Sequence, residues 1–300
     1  MTDARPPSRD GVGPSSLQLP PGHWPSLLEF LIQHFDAIPA AQWRSRFARG
    51  LILDEDGHAL AADAAYRAGA RIHYYRELPA ETPIAGDARV LHRDTHLLVA
   101  DKPHGLPVMP AGRYVQETLL VRLKRQTGLD DLVPLHRIDR DTAGLVLFSI
   151  RADSRAAYQA LFPQRAIEKT YEALAPPLPL QTWPLLRRSR IVRDTATFFR
   201  MREVEGEANS ETRIERIEAR GAVDLYRLQP LTGRKHQLRV HMAALGAPIL
   251  HDPYYPELRP RLDDSASPPL QLLARSLQFV DPLNGQPRRF DSALRLREQA

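Results

Sequence analysis

The segment with the clearest chemical potential runs from Leu135 to Leu145, reads L-H-R-I-D-R-D-T-A-G-L, and leads directly into the apolar stretch V-L-F-S. A polar loop that enters a buried strand places its carboxylates at the end of a rigid sheet. Asp139 lies between Arg137 and Arg140, and nearby cations keep a carboxylate ionised, as a nucleophile or general base requires. The same pattern also fits an exposed turn that is capped by an aspartate and bent at Gly144. Charge and turn propensities alone favour the turn.

A second segment, from Pro230 to Tyr254, combines a T-G turn with a basic helix. The apolar residues of this helix repeat at helical spacing, so they form a stripe that faces a core. Arg239 is rotated away from that stripe and is free to face a carboxylate. Without a partner acid, the helix reads equally well as a solvated basic face.

Two strand-like segments each carry one residue of interest. Glu168 to Leu174 reads E-K-T-Y-E-A-L and contains Tyr171, while Leu97 to Pro110 reads L-L-V-A-D-K-P-H-G-L-P-V-M-P and contains Lys102. An aromatic residue on a strand most often belongs to the core. The lysine suits contact with a phosphate group as well as simple solvation.

Together these segments resemble the RluA-type pseudouridine synthases. The first is similar to the family signature H-R-L-D-x-x-T-S-G-L, and the second to P-x-T-G-R-x-H-Q-L-R-x-H followed by G-x-P-I-x-G-D-x-x-Y. The other two are similar to the family's K-x-Y-x-A and N-K-P-x-G-L-x-V-x-P segments. This chain departs from the family at Ala143, where the family has serine, and at His251, where it has glycine. The likeness extends from about Trp24 to Phe290.

The resemblance implies an enzyme that isomerises specific uridines of structured RNA, ribosomal or transfer, to pseudouridine. It assigns the catalytic carboxylate to Asp139, its ion-pair partner to Arg239, and the aromatic side chain against the target uracil to Tyr171. Arg137 corresponds to the arginine that fills the gap after the uridine leaves its stack. We expect Arg239→Ala to lower the rate without unfolding the protein. Further contacts to the RNA or the base are expected from His136, Thr142, Lys102, Arg234, Arg44 and Arg46.

Strands and helices mix without a strict alternation, which predicts an α+β fold with a largely antiparallel sheet and flanking helices. The expected organisation is a disordered leader at 1–22, a small RNA-binding domain at 23–80, a linker at 81–87 and the catalytic domain at 88–296. The small domain weakly resembles the S-four-type RNA-binding domain through its L-L-E-F-L helix, a second helix rich in arginine, and the R-G-L-I-L-D and A-G-A-R-I segments. Ser26 is the predicted N-cap of the first helix.

Composition is that of an ordinary globular protein, with 43% hydrophobic and 26% charged residues among 300. The absence of cysteine excludes disulfides, thiolate metal sites and a cysteine nucleophile. There are 41 lysines and arginines against 36 acids, which gives a net charge of +5; only Lys102, Lys124, Lys169 and Lys235 are lysines. Guanidinium groups suit RNA, although codon bias explains the excess of arginine equally well. We expect no cofactor, no metal and no membrane partner, and a monomer in the cytoplasm.

Two other functions compete with this interpretation. A non-catalytic RNA-binding protein derived from the same family would account for Ala143 and His251, but the intact Asp139, Tyr171 and Arg239 oppose it. A metal-dependent hydrolase would use His236, His241, His251 and Asp252. The first two of these histidines are five residues apart in the sequence, so they do not share a helix face.

Overall fold

The computed structural model describes residues 6–77, 81–178, 182–259 and 267–297, which form a small sheet with two helices and a much larger sheet. Within these residues, no helix has the length and apolar character needed to cross a membrane. The hydrophobic core of each part consists of side chains from its helices and strands that pack against each other.

The small part follows the sequence prediction closely in its helices. The amide of Glu29 donates to the Ser26 hydroxyl at 3.2 Å, which confirms Ser26 as the N-cap of the first helix. Trp43 of the second helix is fully buried and packs with Phe30 of the first. The elements are β1 (Ser15–Gln18), α1 (Leu27–His34), α2 (Ala40–Ala48), β2 (Ile52–Leu53) and β3 (Arg71–Tyr74), with the strands in the order β1-β3-β2.

The prediction of a disordered leader at 1–22 is wrong for residues that the structure describes. Ser15–Gln18 pair with β3, because the open edge of that strand accepts a partner. Residues 6–12, here called the N-terminal segment, lie against the helix Leu119–Thr127 of the large part. Val12 is buried with Val115 and Val121, and the Arg125 guanidinium donates to the Asp10 carbonyl at 2.9 Å.

The large part is built on a sheet of eleven strands, nine of them in the order β10-β9-β11-β12-β8-β13-β7-β5-β4. Strand β14 pairs with β13 and β6 pairs with β7, and every pairing is antiparallel except the short one between β13 and β7. The predicted α+β class with a largely antiparallel sheet is confirmed. The strands are β4 (Arg89–Arg93), β5 (Leu97–Lys102), β6 (Val133–Pro134), β7 (Ala143–Ser149), β8 (Ile167–Ala175), β9 (Leu185–Arg193), β10 (Met201–Val204), β11 (Ser210–Ala219), β12 (Asp224–Pro230), β13 (Leu272–Val280) and β14 (Pro287–Asp291).

Three helices cover the two faces of this sheet: α3 (Leu119–Thr127), α4 (Ala152–Ala160) and α5 (Gln237–Ala244). Alternate residues of β8 share one face. On that face Ile167 packs with the α4 side and Ala173 packs under α5. Helix α3 packs on the opposite face, against Val146 and Phe148 of β7. The surface over the middle of β8, between the α4 and α5 sides, is here called the cleft.

The linker expected at 81–87 is tied to the large part by several hydrogen bonds. The carboxylate of Glu81 accepts hydrogen bonds from the amides of Val115, Gln116 and Glu117, at 2.8–3.0 Å. The amide of Ile84 donates to the Glu117 carboxylate at 2.9 Å. The segment is thus fixed in place rather than free.

Candidate active site

Asp139 lies in the loop between β6 and β7, on the face of the sheet that carries α5. The amide of Thr142 donates to the Asp139 carbonyl at 3.2 Å, which closes a turn just before β7 begins. The side chain of Asp139 retains 28% of its exposure, so a substrate can reach it. Gly144, at the start of β7, has a φ of +106°, and the sheet presses directly against it.

Arg239 of α5 is the partner of this carboxylate. Its Nη1 donates to Asp139 Oδ2 at 3.1 Å, while Nε and Nη2 donate to the two oxygens of Asp252 at 2.8 and 2.7 Å. Only 1% of Arg239 is exposed, and its guanidinium lies 4.9 Å from the centre of the Tyr254 ring. Asp252 therefore fixes the guanidinium, and the guanidinium in turn fixes Asp139.

Electrostatics keep Asp139 ionised. Burial by itself raises the pKa of this carboxyl, but His236, Arg239 and Lys235 outweigh burial and hold the pKa below its ordinary value. For Arg239, burial lowers the pKa, and the two carboxylates more than compensate, so the guanidinium stays charged. The charged guanidinium of Arg239 thus lies beside the partly exposed carboxylate of Asp139.

Tyr171 lies in the middle of β8, opposite Leu228 of β12 and Ala274 of β13. It is half-buried, and burial together with the negative charge of Asp139 raises the pKa of its phenol. The phenol is therefore protonated at neutral pH. The ring lies on the same face of β8 as Ala173, which packs under α5, and its expected place against the uracil stays a prediction.

The turn ahead of α5 is held by Gln237, the first residue of the helix. Its side-chain oxygen accepts hydrogen bonds from the Thr232 hydroxyl at 2.7 Å and from the Arg234 amide at 3.0 Å. Its side-chain nitrogen donates to the Glu211 carbonyl at 2.9 Å. This network joins the start of α5 to β11, which fixes the position of Arg239 two residues later.

Comparison with known proteins agrees with this geometry. A family model described as RNA pseudouridylate synthase matches residues 96–244. An uncharacterized RNA pseudouridine synthase of Synechocystis is 31% identical over 232 residues, which is 76% of this chain and 79% of that protein. The chain belongs to the RNA pseudouridine synthase family.

Two further relatives agree. The dual-specificity RNA pseudouridine synthase RluA of Yersinia pestis is 32% identical over 67% of this chain and 96% of its own length, so the family membership is of the RluA type. The solved structure of human RNA pseudouridylate synthase domain containing 4 has a TM-score of 0.53 at 27% identity and covers 69% of this chain and 88% of its own. The architecture is therefore that of a pseudouridine synthase.

Lys102 does not lie where a phosphate-binding residue of the synthase must lie. It is fully buried, and its Nζ donates to the carbonyls of Pro103 at 3.0 Å and Arg140 at 2.8 Å. Burial lowers its pKa to about 7, against the opposing effect of Asp141 and Asp139. The expected contact of Lys102 with RNA is thus wrong: it lies beneath the loop and holds the residue next to Asp139.

His136 and Thr142 are also internal to the loop. His136 Nε2 accepts a hydrogen bond from the Leu147 amide at 3.1 Å, and the ring packs on Phe162. Burial lowers the pKa of His136 to about 3, so the ring is neutral. Thr142 is 2% exposed. The expected contact of Thr142 with RNA is therefore wrong, because its side chain is turned inward. His136 is half-buried, so its expected contact with RNA stays a prediction.

In the small part of the synthase, the two predicted arginines have opposite environments. Arg44 is exposed, as expected of an RNA-binding residue. Arg46 is 2% exposed, lies 4.6 Å from the centre of the Trp43 ring, and donates to the Glu77 carbonyl at 3.3 Å. Burial lowers the pKa of Arg46. Its predicted contact with RNA is therefore wrong, since the side chain covers the core.

Arg137 lies in the loop that carries Asp139, and Arg234 lies in the turn ahead of α5. Arg137 is exposed, two residues before Asp139, and within the described residues it has no ion-pair partner. Arg234 is exposed and donates through Nε to the Asn209 carbonyl at 3.0 Å. Both positions remain consistent with RNA contact.

The metal-hydrolase interpretation lacks its ligand set. His241 is fully buried, with Nδ1 at 2.8 Å from Thr212 Oγ1 and Nε2 at 3.0 Å from Ser210 Oγ. Among the residues described, the one group with metal-ligand spacing is the exposed trio of Asp54, Asp56 and His58, far along the chain from the cleft. The histidines of the second segment therefore serve packing and hydrogen bonding.

The two departures from the family are accommodated. His251 has a φ of +60°, in the left-handed region that glycine adopts without strain, so glycine would fit this position as well. Ala143 is fully buried in β7 and needs no hydrogen-bond partner.

Asp252 and Tyr254 are the functional residues that sequence reasoning missed. Asp252 was placed only in the metal alternative, and Tyr254 had no role. A physical signal for Asp252 is the burial of Arg239. A buried guanidinium that pairs with only one, partly exposed carboxylate needs a second acid to offset its desolvation. Asp252 is the first acid after Arg239 in the segment Pro230–Tyr254.

Proposed function

We propose that this synthase converts specific uridines of ribosomal or transfer RNA to pseudouridine, with Asp139 as the catalytic carboxylate. One observation supports the assignment above all others. An ionised carboxylate projects into a cleft, held by a buried guanidinium that is itself anchored by a second acid. The dual-specificity relative is consistent with a structured RNA as the substrate.

The reaction is an isomerisation whose atoms balance without a co-substrate. The bond between N1 of uracil and C1′ of ribose breaks, a bond between C5 and C1′ forms, and one proton leaves C5 while another reaches N1. Asp139 acts as a nucleophile or as a base in this sequence. The protonated phenol of Tyr171 packs against the base and is placed to exchange a proton.

The target uridine must leave its stack, at a cost of a few kcal/mol. The exposed guanidinium of Arg137 is placed to occupy the vacated position, because a planar cation stacks on bases. We propose that the small part, with Arg44 on its surface, adds affinity for RNA. The protein is further proposed to act as a cytoplasmic monomer that needs no metal.

The test compares wild type with Asp139→Asn and Asp139→Ala by carbodiimide mapping of pseudouridine in total RNA from cells that lack the gene. We expect at least one uridine to be converted by wild type and by neither variant, with RNA affinity nearly unchanged. Asp130→Asn, an exposed acid outside the cleft, is the matched control and should retain full conversion.

Two results would count against the proposal. Conversion by Asp139→Asn at the wild-type rate removes Asp139 from the chemistry. Tight RNA binding by wild type with no converted uridine supports the non-catalytic alternative.

A further inference from the structure

Phe198 is the most exposed of the large apolar side chains in the described residues, at 75%. It lies in the connection 194–200 between β9 and β10. Single exposed apolar residues are common and need no explanation by themselves. What distinguishes Phe198 is its surroundings.

A series of ring contacts connects Phe198 to the catalytic floor. Its ring meets Phe199 edge-on at 5.4 Å, and Phe199 lies 5.2 Å from Tyr254. Tyr254 in turn lies against the guanidinium of Arg239, at 4.9 Å. Phe198 is thus the outermost ring in a series of contacts that begins at Arg239, the residue that pairs with Asp139.

The connection that presents Phe198 is held by hydrogen bonds at several points. Lys235 Nζ donates to the Phe199 carbonyl at 2.8 Å, and the Arg200 amide donates to the Thr197 carbonyl at 2.8 Å. Arg200 Nη2 donates to the Pro256 carbonyl at 2.9 Å. The backbone that carries the exposed ring is therefore fixed to Lys235, just ahead of α5, and to Pro256.

The connection lies close to several cations. Burial lowers the pKa of Lys235, the residue that supports the connection; Asp139 opposes this, and Arg193, Arg239 and Arg137 lower it further. Arg137 and Arg193 are exposed, and within the described part of the chain neither has an ion-pair partner. An exposed aromatic ring among uncompensated cations is the arrangement that proteins use for unpaired nucleotides, because the cations take the phosphates and the ring takes a base.

We propose that Phe198 is a stacking platform for an unpaired base of the RNA, close to the uridine that is presented to Asp139. The inference rests on the proposed function and extends it, because it requires the target uridine to lie in a single-stranded loop with at least one neighbouring base splayed out. A fully paired flanking sequence does not satisfy the platform.

The first test measures single-turnover conversion on a transcript of the RNA in which mapping locates the modified uridine. Base–aromatic stacking energies predict that Phe198→Ala weakens half-saturation by roughly five- to a hundredfold, with a smaller effect on the saturated rate. Phe198→Tyr should restore most of the affinity. Val280→Ala is the matched control, since Val280 is 59% exposed at the turn between β13 and β14.

An abasic scan of the transcript identifies the stacked base. Removing that one base should weaken wild type but leave Phe198→Ala unaffected, because the two changes delete the same contact. Additive losses at every position overturn the inference.

A second readout needs no turnover. Phe198→Trp, combined with Asp139→Asn, should show quenched indole fluorescence when the transcript binds, whereas Asp139→Asn with only Trp24, Trp43 and Trp183 should not. Absence of quenching with unchanged affinity overturns the platform. A shift from dimer to monomer in Phe198→Ala, with no change in RNA affinity, assigns the ring to self-association and equally overturns it. An inactive wild type, by contrast, refutes the proposed function itself.

Discussion

Arg239 is shared between two carboxylates of different exposure, and this sharing decides what its removal does. Asp139 is partly open to solvent, whereas the side chain of Asp252 is fully buried. Loss of the guanidinium leaves a buried carboxylate without a counterion, which costs about 3–5 kcal/mol. The expectation that Arg239→Ala lowers the rate without unfolding the protein is therefore replaced: this variant should be strongly destabilised as well.

The gentler test of the same network is Asp252→Asn. The amide keeps one acceptor for Arg239 but loses the charge and the second acceptor, so the guanidinium is less firmly held. We expect the single-turnover rate to fall by about 10- to 100-fold while RNA affinity stays within about twofold, since small displacements of catalytic groups cost this much. The rate is measured on the mapped transcript, with thermal unfolding to follow stability.

Asp153→Asn is the control for Asp252→Asn. Asp153 also accepts two hydrogen bonds from one arginine, Arg151, but both side chains are exposed. It should change neither the rate nor the unfolding temperature. An unchanged rate in Asp252→Asn would mean that Arg239 is positioned by its other neighbours.

Residue type was a good guide to the catalytic group and a poor guide to RNA contacts. Asp139 and Arg239 form the ion pair that the resemblance implies. Lys102 was assigned through the resemblance and Arg46 as an arginine of the second helix, and neither signal shows whether a side chain lies under a loop or over a tryptophan. Desolvation depends on distant parts of the chain, which short motifs do not encode.

At the scale of single elements, the start of β7 is where the catalytic loop meets the sheet. Gly144 has a φ of +106°, and a Cβ built there would lie 2.8 Å from the nitrogen of Ala274 in β13. Gly144→Ala therefore has to separate β7 from β13 as well as adopt an unfavourable φ. We expect a loss of well over 1 kcal/mol in the free energy of unfolding, measured in urea, together with a loss of activity.

Gly128 offers the comparison for Gly144. It ends α3 with a φ of +69°, and a Cβ there would meet nothing within 4 Å. Gly128→Ala should cost about 1 kcal/mol from its backbone conformation alone and leave the rate unchanged. Equal losses in the two variants would show that contact with β13 contributes nothing.

Lys102, at the end of β5, makes the stability of the loop dependent on pH. Its pKa falls from 10.5 to about 7 on folding. Between these values the unfolded chain binds a proton that the folded chain does not, so its contribution raises stability as the pH increases, by up to about 1.4 kcal/mol per unit. Below pH 7 both states carry the proton and the effect ends.

The measurement compares wild type with Lys102→Met by urea unfolding at pH 7, 8 and 9. The free energy of unfolding of wild type should rise relative to that of the variant across this range. Parallel curves would mean that Lys102 is charged in the folded protein throughout. Lys124→Met, on α3, controls for the loss of a lysine at a less buried position.

Elements with a regular pattern were predicted well, and those without one were not. The helices α1, α2, α4 and α5 lie where their apolar spacing indicates. Strand β11 has little apolar signal, because its buried residues are Ser210, Thr212 and Ile214 and most of the others in S-E-T-R-I-E-R-I-E-A are charged. The stretch Ile191–Phe199 contains the end of β9 and a turn. Which strand lies beside which depends on long-range pairing that local patterns do not contain.

At the scale of the whole molecule, the N-terminal segment joins the small and large parts. The Tyr75 hydroxyl donates to the Pro7 carbonyl at 2.5 Å, and Arg9 Nη2 donates to the Gly50 carbonyl at 3.1 Å. On its other side, Val12 is buried against Val115. The segment therefore contributes to the relative position of the two parts.

Val12→Asp should release this segment from α3. Burial of a valine contributes about 1.5 kcal/mol or more, and a carboxylate cannot replace it in an apolar contact. We expect faster proteolysis within residues 6–14 and faster hydrogen exchange at Val115 and Val121. Leu283→Asp, at an exposed site, is the control. Unchanged exchange would show that the segment holds its place by hydrogen bonds alone.

The position of β13 has a consequence for biosynthesis. This strand is made late, at residues 272–280, yet it lies between β7, which follows Asp139, and β8, which carries Tyr171. While the chain is still on the ribosome, both halves of the cleft have been synthesised long before the strand that joins them. A nascent polypeptide stalled before codon 272 should therefore be devoid of activity, and competence should appear only once residues 272–280 have left the ribosome.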